Sequence, residues 1–224
     1  MIFNTEAMAY LCGRRFSNGF FLKIVQQCQI YERISILKKI SKGKAVLHFG
    51  CCDHVEIIHE KIIKGRYLHK ILEEVSQKIT GVDISKEGIL TMRSVGFENV
   101  YLPSELPKNK YDILILPDVI EHVSDVQMFL TDLHQYDFQQ IVITTPNAYR
   151  LSNRMQYCGE CVNTDHRYWF SPFTLAKVLV NAGFELERMM FTDTPSRLNF
   201  IRNLFLKKFP LLQDGLLAIA RKKA

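Results

Sequence analysis

The sequence lacks the features that mark several specialised classes of protein. No apolar run reaches the roughly 20 residues that a helix needs to cross a bilayer, and no charged leader with an apolar core opens the chain. Six cysteines among 224 residues are too few for a disulfide scaffold, and no internal repeat or low-complexity segment is present. These absences predict one cytoplasmic, globular domain with reduced thiols.

Positive charge exceeds negative charge, but it is scattered. The net charge is +6 and the isoelectric point is about 9.0, without a long basic run. We therefore expect no nucleic-acid partner. Acidic small molecules or an anionic membrane surface would fit the same excess of charge.

The densest group of cations lies on a predicted amphipathic helix at residues 197–208. One interpretation is peripheral membrane contact through this helix. The other is an ordinary surface helix that packs by its apolar side. The cations concerned are Arg197, Arg202, Lys207 and Lys208.

The spacing of apolar residues predicts an α/β fold. Helical spacing over residues 5–40, including Phe20 and Phe21, predicts two N-terminal helices. Short apolar runs then alternate with amphipathic segments, which favours a parallel sheet covered on both faces. The predicted strands span residues 45–49, 78–84, 99–102, 111–116 and 140–145, with helices at 67–77, 86–95 and 126–135. We predict one domain over residues 1–224, with a helical cap at 1–43 and an α/β core at 44–224.

The C-terminal region predicts a capped helix between strands. Ser171 is the expected N-cap, Pro172 suits the first helical position, and Gly183 should end the helix. A strand at 184–193, a mostly helical stretch at 195–210 and a final strand at 215–223 should follow.

Glycine is scarce where a ligand-binding turn is expected. The stretch KAVLHFGCCDH reads as a buried strand and a turn, yet Gly50 is its only glycine. In open parallel sheets, ligands lie beyond the carboxyl ends of strands. Asp83 ends the second predicted strand, where a carboxylate can accept hydrogen bonds from both hydroxyls of a ribose. Its alternative role is to cap the following helix.

The stretch YDILILPDVIEHVSD holds a candidate catalytic group. If Asp118 starts a helical turn, Glu121 and His122 project from the same face. They could act as a base with an orienting carboxylate, or hold a divalent metal. Alternatively, both side chains only bind neighbouring loops.

Two further stretches allow both a functional and a structural interpretation. In TDHRYWFSP, His166 and the aromatic residues could form a lid over a substrate, or Trp169 and Phe170 could seal the next helix onto the core. Cys158 and Cys161 form one C-x-x-C without a second pair, which favours free thiols over a zinc site. No metal is assigned.

Taken together, these motifs resemble class I S-adenosylmethionine-dependent methyltransferases over residues 45–222. DVIEHV and ITTPN are most similar to the branch that methylates small molecules. The resemblance rests on VLHFGC, ITGVDIS, YDILILPDVIEHVSD, IVITTPN and HRYWFSPFTLAKVLVNAGFEL.

The resemblance implies a doubly wound, seven-stranded, mostly parallel sheet whose last strand is antiparallel. It implies S-adenosylmethionine as cofactor, bound across the strand ends. The cofactor-binding residues would be Gly50, Cys51, Cys52, Asp83, Ile84, Ser104, Asp118 and Val119. The catalytic residues would be His122 as base, Glu121 as its orienting group and His166 as the second candidate base.

The chain departs from the family at the first turn. Family members usually have an acid where His48 stands and glycines where Cys52 and His54 stand. A Cβ at these two positions should push the turn outward or change its path. The expected activity is methyl transfer to oxygen or nitrogen of a small metabolite or glycan precursor. The alternative is a degenerate member of the fold that acts as a binding or scaffold protein.

Overall fold

The structure is a computed structural model, and it describes residues 3–23, 27, 29–154, 162–196 and 198–223. Cys158, Cys161 and Arg197, which entered the predictions above, lie outside the described residues. Throughout the described ranges, every helix is too short or too polar to cross a membrane.

Two helices precede the first strand, as predicted, but they are shorter than the apolar pattern suggests. Helix α1 spans Thr5–Leu11 and begins at Asn4, whose side chain accepts a hydrogen bond from the Ala7 N–H at 2.8 Å. Helix α2 spans Arg33–Ser41. The helical interpretation of Phe20 and Phe21 is wrong. Neither residue has helical backbone: the Phe20 ring stacks on Tyr10 with centroids 4.1 Å apart, and Phe21 is 87% exposed.

Seven strands form one sheet in the order β3-β2-β1-β4-β5-β7-β6. Strand β1 is parallel to β2 and β4, β2 is parallel to β3, and β6 is antiparallel to β7. This order confirms the doubly wound, mostly parallel fold class. The strands are β1 Ala45–Phe49, β2 Lys78–Val82, β3 Val100–Tyr101, β4 Lys110–Pro117, β5 Asp137–Pro146, β6 Phe184–Thr192 and β7 Gly215–Lys222.

Helices follow the strands where the pattern predicts them. The clearest is α8, in which Ser171 and Thr174 form a reciprocal capping box and Pro172 is the first helical residue. Gly183 follows the helix with a φ of 84°. The remaining helices are α3 Ile58–Ile63, α4 Leu68–Glu73, α5 Lys86–Ser94, α6 Val126–Asp132, α7 Leu151–Arg154, α8 Pro172–Asn181 and α9 Phe200–Lys208.

The chain folds into two compact units. The first-strand unit comprises Ile34–Val119 and Gln135–Val142, and the C-terminal unit comprises Met1–Arg33, Ile120–His134 and Ile143–Ala224. Each unit buries its own apolar side chains. Val46, Leu47, Ile113 and Leu114 are buried in the first-strand unit, and Leu175, Leu179, Phe191 and Leu216 in the C-terminal unit.

Candidate functional site

The turn after β1 requires the single glycine that it contains. Gly50 has a φ of 69°, a left-handed conformation that favours glycine. A Cβ built on Gly50 would lie 2.3 Å from Cγ2 of Val119, which follows β4. The backbone of this turn therefore approaches the end of β4 closely, and no larger residue fits at position 50.

Asp83 connects this turn to the end of β2. One carboxylate oxygen accepts a hydrogen bond from the Cys52 N–H at 2.9 Å, and the other accepts one from the Ser85 N–H at 2.9 Å. The N-cap of α5 is Ser85, whose hydroxyl accepts from the Gly88 N–H at 3.0 Å. The capping role considered for Asp83 thus belongs to Ser85. Each Asp83 oxygen keeps a further lone pair for a ligand hydroxyl.

The residues that replace glycine do not need a glycine-like backbone. Of the described residues other than glycine, Asp118 alone has a positive φ, at 50°. Cys52 and His54 therefore adopt conformations open to any L-residue. The backbone of the turn GCCDH therefore accommodates the side chains of Cys52 and His54 without strain.

Sulfur atoms converge beneath the turn. The Cys51 Sγ lies 3.7 Å from the Met92 Sδ, and the Cys52 Sγ lies 3.4 Å from the same atom. The Tyr67 hydroxyl donates to the Cys51 carbonyl at 2.9 Å, and this bond ties the turn to the start of α4. The pKa of the Cys51 thiol is raised far above its usual range, chiefly by the hydrogen bond with Cys52 and secondly by burial. Burial likewise raises the pKa of Tyr67.

A pair of buried histidines supports the same strand. The Nδ1 atoms of His48 and His69 are 3.0 Å apart, so one ring donates its proton and the other accepts. His69 lies on α4 and is 1% exposed. Burial lowers the pKa of His48, and it lowers the pKa of His69 to about 4. Both rings are therefore neutral at neutral pH.

The remaining predicted cofactor residues follow β2, β3 and β4 along the chain. Ile84 follows Asp83 and is 88% exposed. Ser104 lies in a short 3-10 helix at Pro103–Glu105 and is exposed. Asp118 and Val119 are half-buried immediately after β4. All the predicted cofactor residues belong to the first-strand unit.

The expected helical turn at Asp118 does not form. Residues 118–125 make turns, and α6 begins at Val126 with Asp125 as its N-cap. The left-handed backbone of Asp118 interrupts the helical path. The spacing argument that grouped Asp118, Glu121 and His122 on one helical face is therefore wrong.

Glu121 is nevertheless held in a defined position in the C-terminal unit. Its side chain is 1% exposed, and its Oε2 accepts a hydrogen bond from the Thr145 hydroxyl at 2.9 Å. Its backbone carbonyl accepts from the Arg167 N–H at 2.7 Å and from the Tyr168 N–H at 3.3 Å. These bonds place the segment that contains His166 next to Glu121.

The two candidate bases lie beside Glu121. The Nδ1 of His122 is 2.9 Å from the Asp165 carbonyl oxygen. Because a carbonyl only accepts, Nδ1 carries the proton and Nε2 presents a lone pair in the neutral ring. The rings of His122 and His166 meet edge to face with centroids 4.9 Å apart.

The aromatic segment before α8 combines both roles that the sequence allowed. Phe170 is buried and its backbone pairs with Asn147, as expected of a residue that seals the helix. Trp169 is half-buried, with the Arg150 guanidinium 4.9 Å from its ring centroid. Tyr168 donates its hydroxyl proton to the Ser124 carbonyl at 2.6 Å.

Two groups of side chains within the described ranges could hold a metal ion. Their potential ligand atoms lie within 4.8 Å of one another in each group. One group is Cys51, Cys52 and Asp83, and the other is Glu121, His122 and His166.

Sequence reasoning missed two arrangements. The pairing of His48 with His69 joins β1 to α4 and had no local signal. Asn147, which directly follows β5, is fully buried. Its amide donates to the Leu211 and Gln213 carbonyls at 2.8 Å each. Asn147 therefore stabilises the fold.

A family model described as a methyltransferase domain matches residues 25–188, which is more than half of the chain. The chain belongs to this methyltransferase family. The predicted family and enzyme class are thereby confirmed. A comparison of this chain with curated proteins found no match.

Solved structures confirm the fold. A magnesium protoporphyrin IX methyltransferase from Synechocystis, with bound S-adenosylhomocysteine, is 17% identical at a TM-score of 0.53, covering 85% of this chain and 80% of its own. An S-adenosylmethionine-dependent methyltransferase from Mesorhizobium loti is 14% identical at a TM-score of 0.54, with coverages of 84% and 95%. A didemethyltoxoflavin N1-methyltransferase from Burkholderia thailandensis is 17% identical at a TM-score of 0.52, with coverages of 85% and 78%.

Proposed function

We propose that this methyltransferase transfers a methyl group from S-adenosylmethionine to an oxygen or nitrogen atom of a small metabolite or glycan precursor. The observation that carries the proposal is the bridge from the turn after β1 to Asp83 at the end of β2. That bridge fixes a carboxylate with spare acceptor capacity beside a turn that has no room for a Cβ at Gly50. The cytoplasmic location stays a prediction.

The residues of the first-strand unit fit the cofactor. Asp83 would accept hydrogen bonds from the ribose hydroxyls, and Gly50 to Cys52 would lie along the methionine part. Ile84 presents apolar surface for the adenine, Ser104 a hydroxyl, and Asp118 with Val119 would border the methyl group. When bound, S-adenosylmethionine supplies an electrophilic methyl group on a sulfonium.

The group proposed to take up the acceptor's proton is a histidine beside Glu121. His122 is the base, because its Nδ1–H is fixed by the Asp165 carbonyl and its Nε2 lone pair is left for an acceptor hydroxyl or amine. The ring is oriented by this carbonyl, and the buried Glu121 carboxyl group, held by the Thr145 hydroxyl, lies within 4.8 Å of it. His166 is the second candidate base. Methyl transfer is an in-line displacement, so positioning supplies much of the rate.

Calorimetry with S-adenosylhomocysteine tests the cofactor site. We expect wild-type binding, and a loss of affinity on the order of a hundredfold for Asp83→Ala, because hydrogen bonds to a charged group are lost. Asp83→Asn keeps one acceptor oxygen and should lose less. Glu56→Gln, an exposed residue in the short helix after the turn, is the matched control and should bind normally.

The acceptor can be identified with a panel of hydroxyl, carboxyl and amine compounds. Each is incubated with the enzyme and S-adenosylmethionine, and the release of S-adenosylhomocysteine is measured. Absence of wild-type cofactor binding, or unchanged binding by Asp83→Ala, would refute the proposed site. Cofactor-independent binding of a partner would then favour the degenerate, non-catalytic alternative.

A second part of the proposal is peripheral contact of α9 with an anionic membrane, through which a lipid-linked acceptor could be reached. The support is the exposure of apolar side chains on α9 and its flanking residues. Within α9, Leu206 is the buried apolar side chain. The exposed large apolar residues are Leu198, Phe200, Ile201, Leu204, Phe205 and Phe209. Such a surface beside lysines suits an anionic bilayer.

One predicted membrane contact has another role. Arg202 donates to the buried Asp193 at 2.8 Å, so it stabilises the C-terminal unit. Lys207 and Lys208 remain as exposed candidate contacts.

Flotation with phosphatidylglycerol vesicles at low salt tests this contact. Wild type should float, and Phe200→Ser with Ile201→Ser should not. Ile63→Ser, at an exposed apolar residue of α3, should float like wild type. Equal flotation of all variants, or none of the wild type, would remove the membrane proposal.

A further inference from the structure

The sulfur atoms beneath the first turn form a compact set of soft ligands. Three sulfurs meet there, and both thiols contact the thioether of Met92 on α5 at 3.7 and 3.4 Å. Cys51 and Met92 are buried, and Cys52 is half-buried. The site is therefore part of the core on the side of Cys51 and Met92, and Cys52 is the ligand nearest to solvent.

The surrounding backbone leaves room for these sulfurs. A Cβ on Gly81 of β2 would lie 2.8 Å from the Cys51 Sγ, and a Cβ on Gly88 of α5 would lie 2.8 Å from the Cys52 Sγ. Any other residue at these positions would displace a sulfur. Two glycines on separate elements thus shape the space around the thiols.

The sulfur positions are compatible with one metal ion, since the thiol–thioether distances are 3.7 and 3.4 Å and the two thiols lie within 4.8 Å of each other. Metal–thiolate bonds are about 2.3 Å long, so three sulfurs at the corners of a trigonal plane stand roughly 4 Å apart. The two measured separations are a few tenths of an ångström shorter than this. Small rotations of the side chains would therefore open the cluster around an ion.

The ligand types select the ion. Thiolate and thioether sulfurs together favour monovalent copper, whereas magnesium and calcium need oxygen ligands. Zinc normally takes four ligands from cysteine, histidine or carboxylate. Asp83 lies near both thiols, but its two oxygens accept hydrogen bonds from the Cys52 and Ser85 N–H groups. The remaining set of two cysteines and one methionine suits a soft monovalent ion best.

We propose that Cys51, Cys52 and Met92 form a binding site for a soft monovalent metal ion of the copper(I) class at the turn after β1. Two sulfur–metal bonds form from thiolates, and the two thiol protons pass to solvent. The Met92 thioether donates a lone pair and releases no proton. The proposal does not depend on the methyl transfer proposed above.

The test uses a background variant in which the other cysteines, Cys12, Cys28, Cys158 and Cys161, are replaced by serine. This removes competing thiols, including the C-x-x-C pair. The probe is copper(I), offered anaerobically as its bathocuproine disulfonate complex, whose absorbance falls when the protein removes the ion. The background variant should bind one equivalent.

Removal of a ligand should weaken binding in proportion to its role. Adding Cys51→Ser or Cys52→Ser should lower the copper(I) affinity by more than about a hundredfold, and Met92→Leu by about tenfold, since loss of a supporting neighbour alone costs 10- to 100-fold. Met92→Leu conserves the side-chain volume, so this variant should fold. It therefore still tests the site if a cysteine variant unfolds. Circular dichroism reports the folding of each variant.

X-ray absorption at the copper edge provides an independent readout. The loaded background variant should show two to three sulfur neighbours at about 2.3 Å. Failure of that variant to compete for copper(I), or equal affinity in Met92→Leu together with a spectrum dominated by nitrogen or oxygen, would overturn the site.

Discussion

His48 and His69 are enclosed in the first-strand unit. In the C-terminal unit, His122 is exposed and His166 is half-buried, and these two are called the exposed pair after His122. In the first pair, imidazole binds imidazole at 3.0 Å and both rings are 1% exposed. In the second pair, His122 is exposed and its Nδ1 binds a backbone carbonyl. The buried pair joins β1 to α4 through its Nδ1 atoms, whereas His122 binds a backbone carbonyl through Nδ1 and keeps Nε2 for chemistry.

The environment therefore decides what a histidine does. Burial penalises the imidazolium, which lowers the pKa of His48 and His69. A carbonyl partner at one ring nitrogen fixes the tautomer and leaves the other nitrogen as a base. If the comparison is right, changes in the two pairs should affect different measurements.

The largest expected effect is on catalysis at the exposed pair. His122→Gln should lower kcat by roughly 10²- to 10⁴-fold, because a general base is lost. Binding of S-adenosylhomocysteine and the urea midpoint should stay unchanged. Rates of S-adenosylhomocysteine release with the acceptor found above provide the measurement.

His59→Gln, at an exposed histidine of α3, is the matched control and should keep wild-type kcat. A wild-type rate in His122→Gln, with a large loss in His166→Gln, would move the role of base to His166.

The next effect is on stability and concerns the buried pair. The pKa of His69 falls from 6.5 in the unfolded chain to about 4 in the fold. As pH falls, the unfolded state takes up the proton first, so stability is present above pH 6.5 and is lost between about 6.5 and 4. The loss amounts to about 3 kcal/mol at most. Urea unfolding at pH 7.5 and pH 5 measures its onset.

A paired substitution isolates that pH effect. His48→Leu with His69→Leu removes both titrating groups and should flatten the pH dependence, whereas His59→Gln should leave it intact. An equally steep loss of stability in the double variant would show that other groups cause it.

A smaller effect is expected from the partner of Glu121. Thr145→Val removes the hydroxyl that donates to the Glu121 carboxylate. We expect a loss of about 1.5 kcal/mol in catalysis, roughly tenfold in kcat. Thr131→Val makes the same change on α6, where the hydroxyl donates to the Gln127 carbonyl, and should leave kcat unchanged.

The smallest expected effect distinguishes a base from a metal site at the exposed pair. If His122 acts as a base, dialysis against EDTA should not change the rate. A loss of activity that a divalent ion restores would instead assign Glu121, His122 and His166 as metal ligands.

Much of the fold could be predicted where local rules dominate. The bounds of β1 match the prediction because its residues are nearly all buried. The start of α8 matches because Ser171, Pro172 and Thr174 specify a helix N-terminus by themselves. Helix α9 was harder: it begins at Phe200 after the Asn199 cap, later than the apolar pattern implied.

The candidate site was predictable in residue type and less so in geometry. The position of Asp83 followed from the predicted strand that it ends, but the left-handed backbone of Asp118 broke the helical face on which Glu121 and His122 were expected. Ser85 took the capping role considered for Asp83 because it stands directly before α5. Such competition between neighbours is decided by small differences in backbone conformation.

The sequence by itself determined the alternation of strands and helices and the resemblance to methyltransferases, because apolar periodicity and motif order are properties of the chain. Tertiary structure alone decided that His48 meets His69 and that two cysteines meet Met92. These contacts join residues 21 to 41 positions apart on different elements, so they exist only once strands and helices have packed. For the same reason, only the fold separates the buried histidines from those that remain at the surface.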